Sequence, residues 1–128
     1  MILDTSFLVA LEREIKRSEG PASQFLKASP LSDYCVTPII AGEMACGASL
    51  SMRAAWESFM LPFRILPVDV RVSWQYGVLY RDLSNRGQMI GSNDLWIAAA
   101  AVANGMPVVT RNEQDFKRVP GLRVISIQ

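Results

Sequence analysis

The chain has 128 residues, half of them hydrophobic, which suits one domain around one core. Thirteen basic and twelve acidic residues nearly cancel, so any nucleic-acid contact requires a local basic patch rather than a whole-molecule field. No signal peptide precedes the first strand and no apolar run reaches about 18 residues, so a cytoplasmic protein is the default expectation.

The predicted elements alternate. Ile2-Leu3 reads as a short first strand. Thr5 or Ser6 is placed to cap a helix through Phe7, Leu8, Leu11 and Ile15, whose spacing is near the helical period. Gly20-Pro21 restarts a helix with proline at its first position. Tyr34 to Thr37 reads as a second strand stopped by Pro38. A helical pair is expected over about 39–50 and 52–61, then a short strand, Arg64-Ile65-Leu66. Asp69 is a good N-cap for a long helix that ends at Asn85-Arg86-Gly87. Ser92 or Asn93 is expected to cap a nearly all-apolar helix ending at Asn104-Gly105. The last strands are predicted over 107–110 and 123–127. Strands separated by helices imply a mostly parallel sheet covered on both faces.

Four acidic residues stand apart from the rest. Asp4 ends the first strand, Glu43 lies in the apolar run Ile39-Ile40-Ala41-Gly42-Glu43-Met44-Ala45, Asp94 lies in the first turn of the apolar helix, and Asp115 follows the 107–110 strand. A carboxylate in apolar sequence is costly unless its charge is compensated. In parallel sheets the ligand site lies beyond the carboxyl ends of the strands. The topology therefore brings all four toward one rim.

What the chain lacks narrows the chemistry. It has no histidine, which excludes His-based triads and histidine general-base nucleases. Cys35 and Cys46 are too few for a disulfide framework or a zinc cluster and are expected as small buried hydrophobes. The glycines fit neither a phosphate loop nor a dinucleotide fingerprint. A hard-cation site of oxygen ligands remains, suited to Mg²⁺ or Mn²⁺. Crowded carboxylates without a cation should repel one another and raise at least one pKa. A phosphatase of the haloacid-dehalogenase kind would need a second Asp where Ser6 stands. A phosphoacceptor receiver would need a paired acidic cluster near the start and a late lysine, and neither is present.

Four blocks carry a resemblance: Ile2-Leu3-Asp4-Thr5-Ser6, Glu43-Met44, Asn93-Asp94-Leu95-Trp96-Ile97-Ala98-Ala99, and the run from Thr110 to Phe116. In their order and spacing the chain resembles a PIN-domain ribonuclease, specifically the VapC-type toxin of bacterial and archaeal toxin–antitoxin pairs. The resemblance spans essentially the whole length. It implies a single PIN-like domain over 1–128, a three-layer α/β/α architecture with about five strands, and Mg²⁺- or Mn²⁺-dependent endonucleolytic cleavage of RNA. By the same resemblance Asp4, Glu43, Asp94 and Asp115 form the catalytic, metal-holding set. Ser6, Thr110 and Asn112 would support the carboxylates, and Arg111 would sit near the phosphate path. A homodimer held in check by a small antitoxin is also implied, the antitoxin laying an apolar helix into a groove. A PIN nuclease of RNA processing, or an inactive RNA- or partner-binding PIN module, is the alternative reading.

Each acid also has a purely structural role open to it: a strand-end turn for Asp4, a solvent-facing helix position for Glu43, a helix-dipole partner for Asp94, and a turn cap for Asp115. Arg111 could simply pair with Asp115. Asp82 with Arg86, and Arg53 with Glu57, have helical pairing distance. Trp56, Trp74 and Trp96 are expected in core or interface.

Overall fold

The computed structural model describes residues 1–128. The element order is β1 (Ile2–Leu3), α1 (Thr5–Lys16), α2 (Pro21–Ala28), β2 (Cys35–Val36), α3 (Pro38–Ala45), a 3₁₀ turn (Ala48–Leu50), α4 (Arg53–Met60), β3 (Arg64–Ile65), α5 (Val70–Asn85), α6 (Ser92–Ala103), β4 (Val108–Thr110), α7 (Glu113–Phe116) and β5 (Val124–Ser126). The five strands form one all-parallel sheet in the order β3-β2-β1-β4-β5. Helices cover it in a three-layer α/β/α arrangement.

β1 is the central strand. Ile2 is in register with Cys35 on one side and with Val108 on the other. Ile2, Leu3, Cys35, Val36, Val108 and Val109 are all fully buried, as expected of parallel strands covered on both faces. The chain leaves β1 toward β2 and β3 on one side and returns by way of α5 and α6 to β4 on the other. The sheet therefore has its topological switch point between β1 and β4, the place where such sheets bind ligands.

Helix ends explain how the functional segments are fixed. Asp4 itself caps α1, its Oδ1 accepting from the Phe7 N–H at 2.9 Å. This corrects the expectation that Thr5 or Ser6 does so. The carboxylate reaches the free N–H groups first because it ends the strand from which the helix starts. Thr37 caps α3 with Pro38 at its first position, and Asp69 caps α5. α6 starts after Gly91 with no side-chain cap, so Ser92 and Asn93 lie inside the helix rather than at its cap. Gly87 and Gly105 end α5 and α6 at φ of 63° and 62°, a left-handed conformation that glycine adopts without strain.

The expected helix over 39–50 is interrupted at Cys46-Gly47, where the chain turns into the short 3₁₀ segment. Cys46 lies beyond the buried stripe of α3 and is exposed, contrary to expectation, while Cys35 is buried in β2. Trp56 ties α4 to α3 by donating from Nε1 to the Ala41 carbonyl at 2.9 Å. Trp96 stacks on Tyr76 at 4.0 Å and joins α6 to α5. Trp74, by contrast, is 65 % exposed on the outer side of α5. α6 buries Leu95, Ile97 and Ala98 to Ala101. A helix buried all round is central to the core, and its alanines let neighbours approach its backbone closely. That placement holds its first turn, with Asp94, rigidly against the rest of the molecule.

Candidate active site

Asp4 is the most constrained of the four acids. It is 4 % exposed. Oδ1 accepts from the Ser6 hydroxyl at 2.7 Å as well as from the Phe7 N–H, and Oδ2 accepts from the Thr110 hydroxyl at 2.5 Å. Burial pushes its carboxyl above the usual range, the bonds from Thr110, Phe7 and Ser6 pull it back, and the negative charge of Glu43 adds to the rise.

The Ser6 and Thr110 hydroxyls lie 3.2 Å apart, and each directs its single proton to Asp4. Their lone pairs accept from the main chain of the turn after β4: Arg111 N–H to Ser6 Oγ at 2.9 Å, and Asn112 N–H to Thr110 Oγ1 at 2.8 Å. Two parallel relays therefore run from the 111–112 backbone through one hydroxyl each to one oxygen each of Asp4. Asn112 takes part through its main chain; its side chain makes no hydrogen bond, which differs from the support expected of it.

Glu43 is the sixth residue of α3 and is half-buried. Oε1 accepts from the Thr5 hydroxyl at 2.7 Å and Oε2 from the Asn93 amide at 3.4 Å. Neither donor was singled out by sequence reasoning as a site residue. The available signal was adjacency, since Thr5 follows Asp4 and Asn93 precedes Asp94.

Asp94 is the third residue of α6, and its half-buried carboxylate receives no hydrogen bond. Its pKa is pushed up from 3.8 to about 6, first by burial and then by the negative charges of Asp115, Asp4 and Glu43. The four carboxylates thus share one electrostatic field. Asp115, the third residue of α7, is half-buried and also lacks a donor. α7 is a single helical turn that sequence reasoning read only as a possible turn. No three of the acids are drawn into a ready-made ligand cage.

Arg111 is exposed, and its guanidinium makes neither a hydrogen bond nor an ion pair; the simple pairing with Asp115 does not form. Its neighbours in sequence are engaged: Lys117 pairs with Glu113 at 3.1 Å, and Arg118 donates to the Met89 carbonyl at 3.2 Å. Arg13 and Lys16 lie toward the far end of α1, about 13 and 18 Å from Asp4 along the helix, and Lys16 is paired with Glu12.

Residues 1–122 match the PIN domain family. Over 135 aligned residues the chain is 31 % identical to Ribonuclease VapC1 of Rickettsia felis, covering 99 % of this chain and 96 % of that one. The chain belongs to the PIN-domain VapC ribonucleases. A second VapC relative, named a tRNA(fMet)-specific endonuclease, from Salmonella typhimurium, is 31 % identical over 98 residues, covering 73 % of this chain and 74 % of its own. In fold, the chain is similar to the crystal structure of VapBC2 from Rickettsia felis bound to a DNA fragment from their promoter. The TM-score is 0.82 at 22 % identity, over 99 % of this chain and 98 % of that one. VapC nucleases depend in general on a divalent metal ion. No helix of this PIN-domain chain is long and apolar enough to cross a membrane.

Proposed function

We propose that the chain is the toxin of a type II toxin–antitoxin pair, an endoribonuclease acting in the cytoplasm with Mg²⁺ or Mn²⁺ at a site held by Asp4, Glu43, Asp94 and Asp115. The observation that carries this reading is Asp94. Its half-buried carboxylate has no donor and is pushed up to about 6 by burial and by the three other acids. Such an arrangement is unfavourable by itself and is relieved by a cation. The donor set is all oxygen, which fits a hard divalent ion. Magnesium keeps several waters and uses one or two direct carboxylates, so a preformed cage is not required. The bound ion supplies Lewis acidity and positive charge.

The chain's own residues set the geometry. Asp4 is locked by three donors, so it fixes the position of the site relative to the sheet. Asp94 and Asp115 keep all their lone pairs available for ligation. Arg111, unpaired and on the turn whose main chain supports Asp4, would receive an RNA phosphate, which a bare acidic rim would repel. The reaction adds water across a backbone phosphodiester: a P–O bond forms to the water oxygen, the bond to the leaving sugar oxygen breaks, and a proton goes to that oxygen.

An apolar groove of about 520 Å³, lined by Leu11, Ile15, Leu26, Tyr34, Phe59 and Phe63 among others, suits an antitoxin helix. The test of function is sequencing of RNA 5′ ends after a short expression pulse. New, discrete 5′ ends should appear with the wild type and be absent with Asp4→Asn. Identical profiles from the two would refute the reading.

A further inference from the structure

Thr5 and Asn93 occupy positions where a polar side chain usually serves a helix end. Here neither does. Asp4 caps α1 and α6 begins after Gly91, which releases the Thr5 hydroxyl and the Asn93 amide from capping. Both turn instead to Glu43, one to each carboxylate oxygen, at 2.7 and 3.4 Å.

Glu43 is the acid that most needs such help. Asp4 is fixed by the end of β1 and a main-chain bond, and Asp94 and Asp115 have short side chains in the first turns of helices. Glu43 carries a longer side chain on α3. A half-buried glutamate with that reach is held in one position only where donors fix both of its oxygens, as Thr5 and Asn93 do here. The two donors come from the residues adjoining Asp4 and Asp94, so the elements that carry two of the acids also hold the third.

We propose that Thr5 and Asn93 are positioning residues that hold the Glu43 carboxylate on the side facing the other acids, so that its position is set before a divalent cation arrives. This rests on the metal-dependent reading above. Thr5, with the short bond, does most of the holding; Asn93, at 3.4 Å, does less.

The experiment measures Mn²⁺ affinity directly, by calorimetry or by electron paramagnetic resonance of the free ion, alongside melting curves in chelator. Thr5→Val should weaken Mn²⁺ binding about tenfold, the effect expected when a residue orienting a ligand is lost. Thr5→Ser, which keeps the hydroxyl, should stay within about twofold of wild type. Asn93→Ala should weaken binding about two- to threefold, in keeping with its longer bond. In a Glu43→Gln background Thr5→Val should add little, because its effect runs through Glu43. Wild-type affinity in both Thr5→Val and Asn93→Ala would overturn the inference while leaving the nuclease reading intact. An equally large Thr5→Val effect in the Glu43→Gln background would also overturn it. A wild type that binds no Mn²⁺ and cleaves no RNA would overturn both. Should Thr5→Val fail to fold, Asn93→Ala, at an exposed position, carries the test.

Discussion

Neutralising Asp94 should stabilise the metal-free protein while removing its activity. The native fold holds the Asp94 proton more tightly than the unfolded chain does, since the pKa rises from 3.8 to about 6. For an acid, a raised native pKa means that ionisation costs stability. The cost is absent below about pH 4, grows between about 4 and 6, and is complete above that window. Moving the carboxyl over that range corresponds to about 3 kcal/mol between its ionised and neutral forms. The group is only half-buried, and solvent screening reduces this to about half. The carboxylate also gains about 0.3–1 kcal/mol from the start of α6, which asparagine forgoes. Asp94→Asn should therefore be more stable than wild type by about 1 kcal/mol at pH 7.5 in chelator, or roughly 3–5 °C in Tm. The advantage should vanish near pH 4. Saturating Mn²⁺ should raise the Tm of the wild type by mass action and raise that of the variant much less. Thermal melts at the two pH values, with and without Mn²⁺, measure all of this. A variant less stable than wild type at pH 7.5, or one with the same gain at pH 4, would refute the electrostatic reasoning.

Three further outcomes follow from the same geometry. Thr110→Val removes the donor to Oδ2 of a buried carboxylate and the acceptor for Asn112; it should cost about 1–3 kcal/mol in denaturant melts and push the Asp4 carboxyl further up. Arg111→Ala, at an exposed unpaired side chain, should change stability by less than about 0.5 kcal/mol. It should still slow single-turnover cleavage and lower the salt dependence of RNA binding by about one counterion; a lost Tm with unchanged cleavage would assign Arg111 a structural role. Ile15→Asp, at a side chain 67 % exposed on the apolar groove, should leave cleavage intact and weaken inhibition by the antitoxin, read as the antitoxin ratio needed to silence cleavage.

The parts of the fold legible in the sequence were those set by local chemistry. Asp69 at the start of α5, Pro21 and Pro38 at first helical positions, and the glycines after α5 and α6 act through backbone groups within a few residues. The pairs Asp82–Arg86 and Arg53–Glu57, each at 2.6 Å, likewise follow from helical spacing. The approach of Asp4, Glu43 and Asp115 to Asp94, near enough to push its pKa up, follows because an alternating chain delivers strand ends to one edge. Other features depend on which segments meet. Whether Thr5, Ser6 or Asp4 caps α1 depends on distant contacts: the Thr5 hydroxyl donates to Glu43, and the Ser6 hydroxyl donates to Asp4 while accepting from the Arg111 N–H of the turn after β4. α7 is too short to show a period. Cys46 is exposed because α3 ends at Ala45, well short of the expected 39–50, leaving Cys46 at the helix end beyond the buried Ile40, Ala41 and Met44. The support from Asn112 comes through its N–H, which no side-chain pattern reveals.

We propose that the carboxylates of Asp4, Glu43, Asp94 and Asp115, from separate elements, form one divalent-metal nuclease site. Purified protein should be titrated with Mn²⁺ from a chelated start, with cleavage of a defined RNA and ion binding measured on the same samples. Cleavage should rise with occupancy, be abolished by excess chelator and return on adding the ion back, and Asp94→Asn should lose both binding and cleavage while remaining folded. Undiminished cleavage in excess chelator, or wild-type cleavage by folded Asp94→Asn, would contradict it.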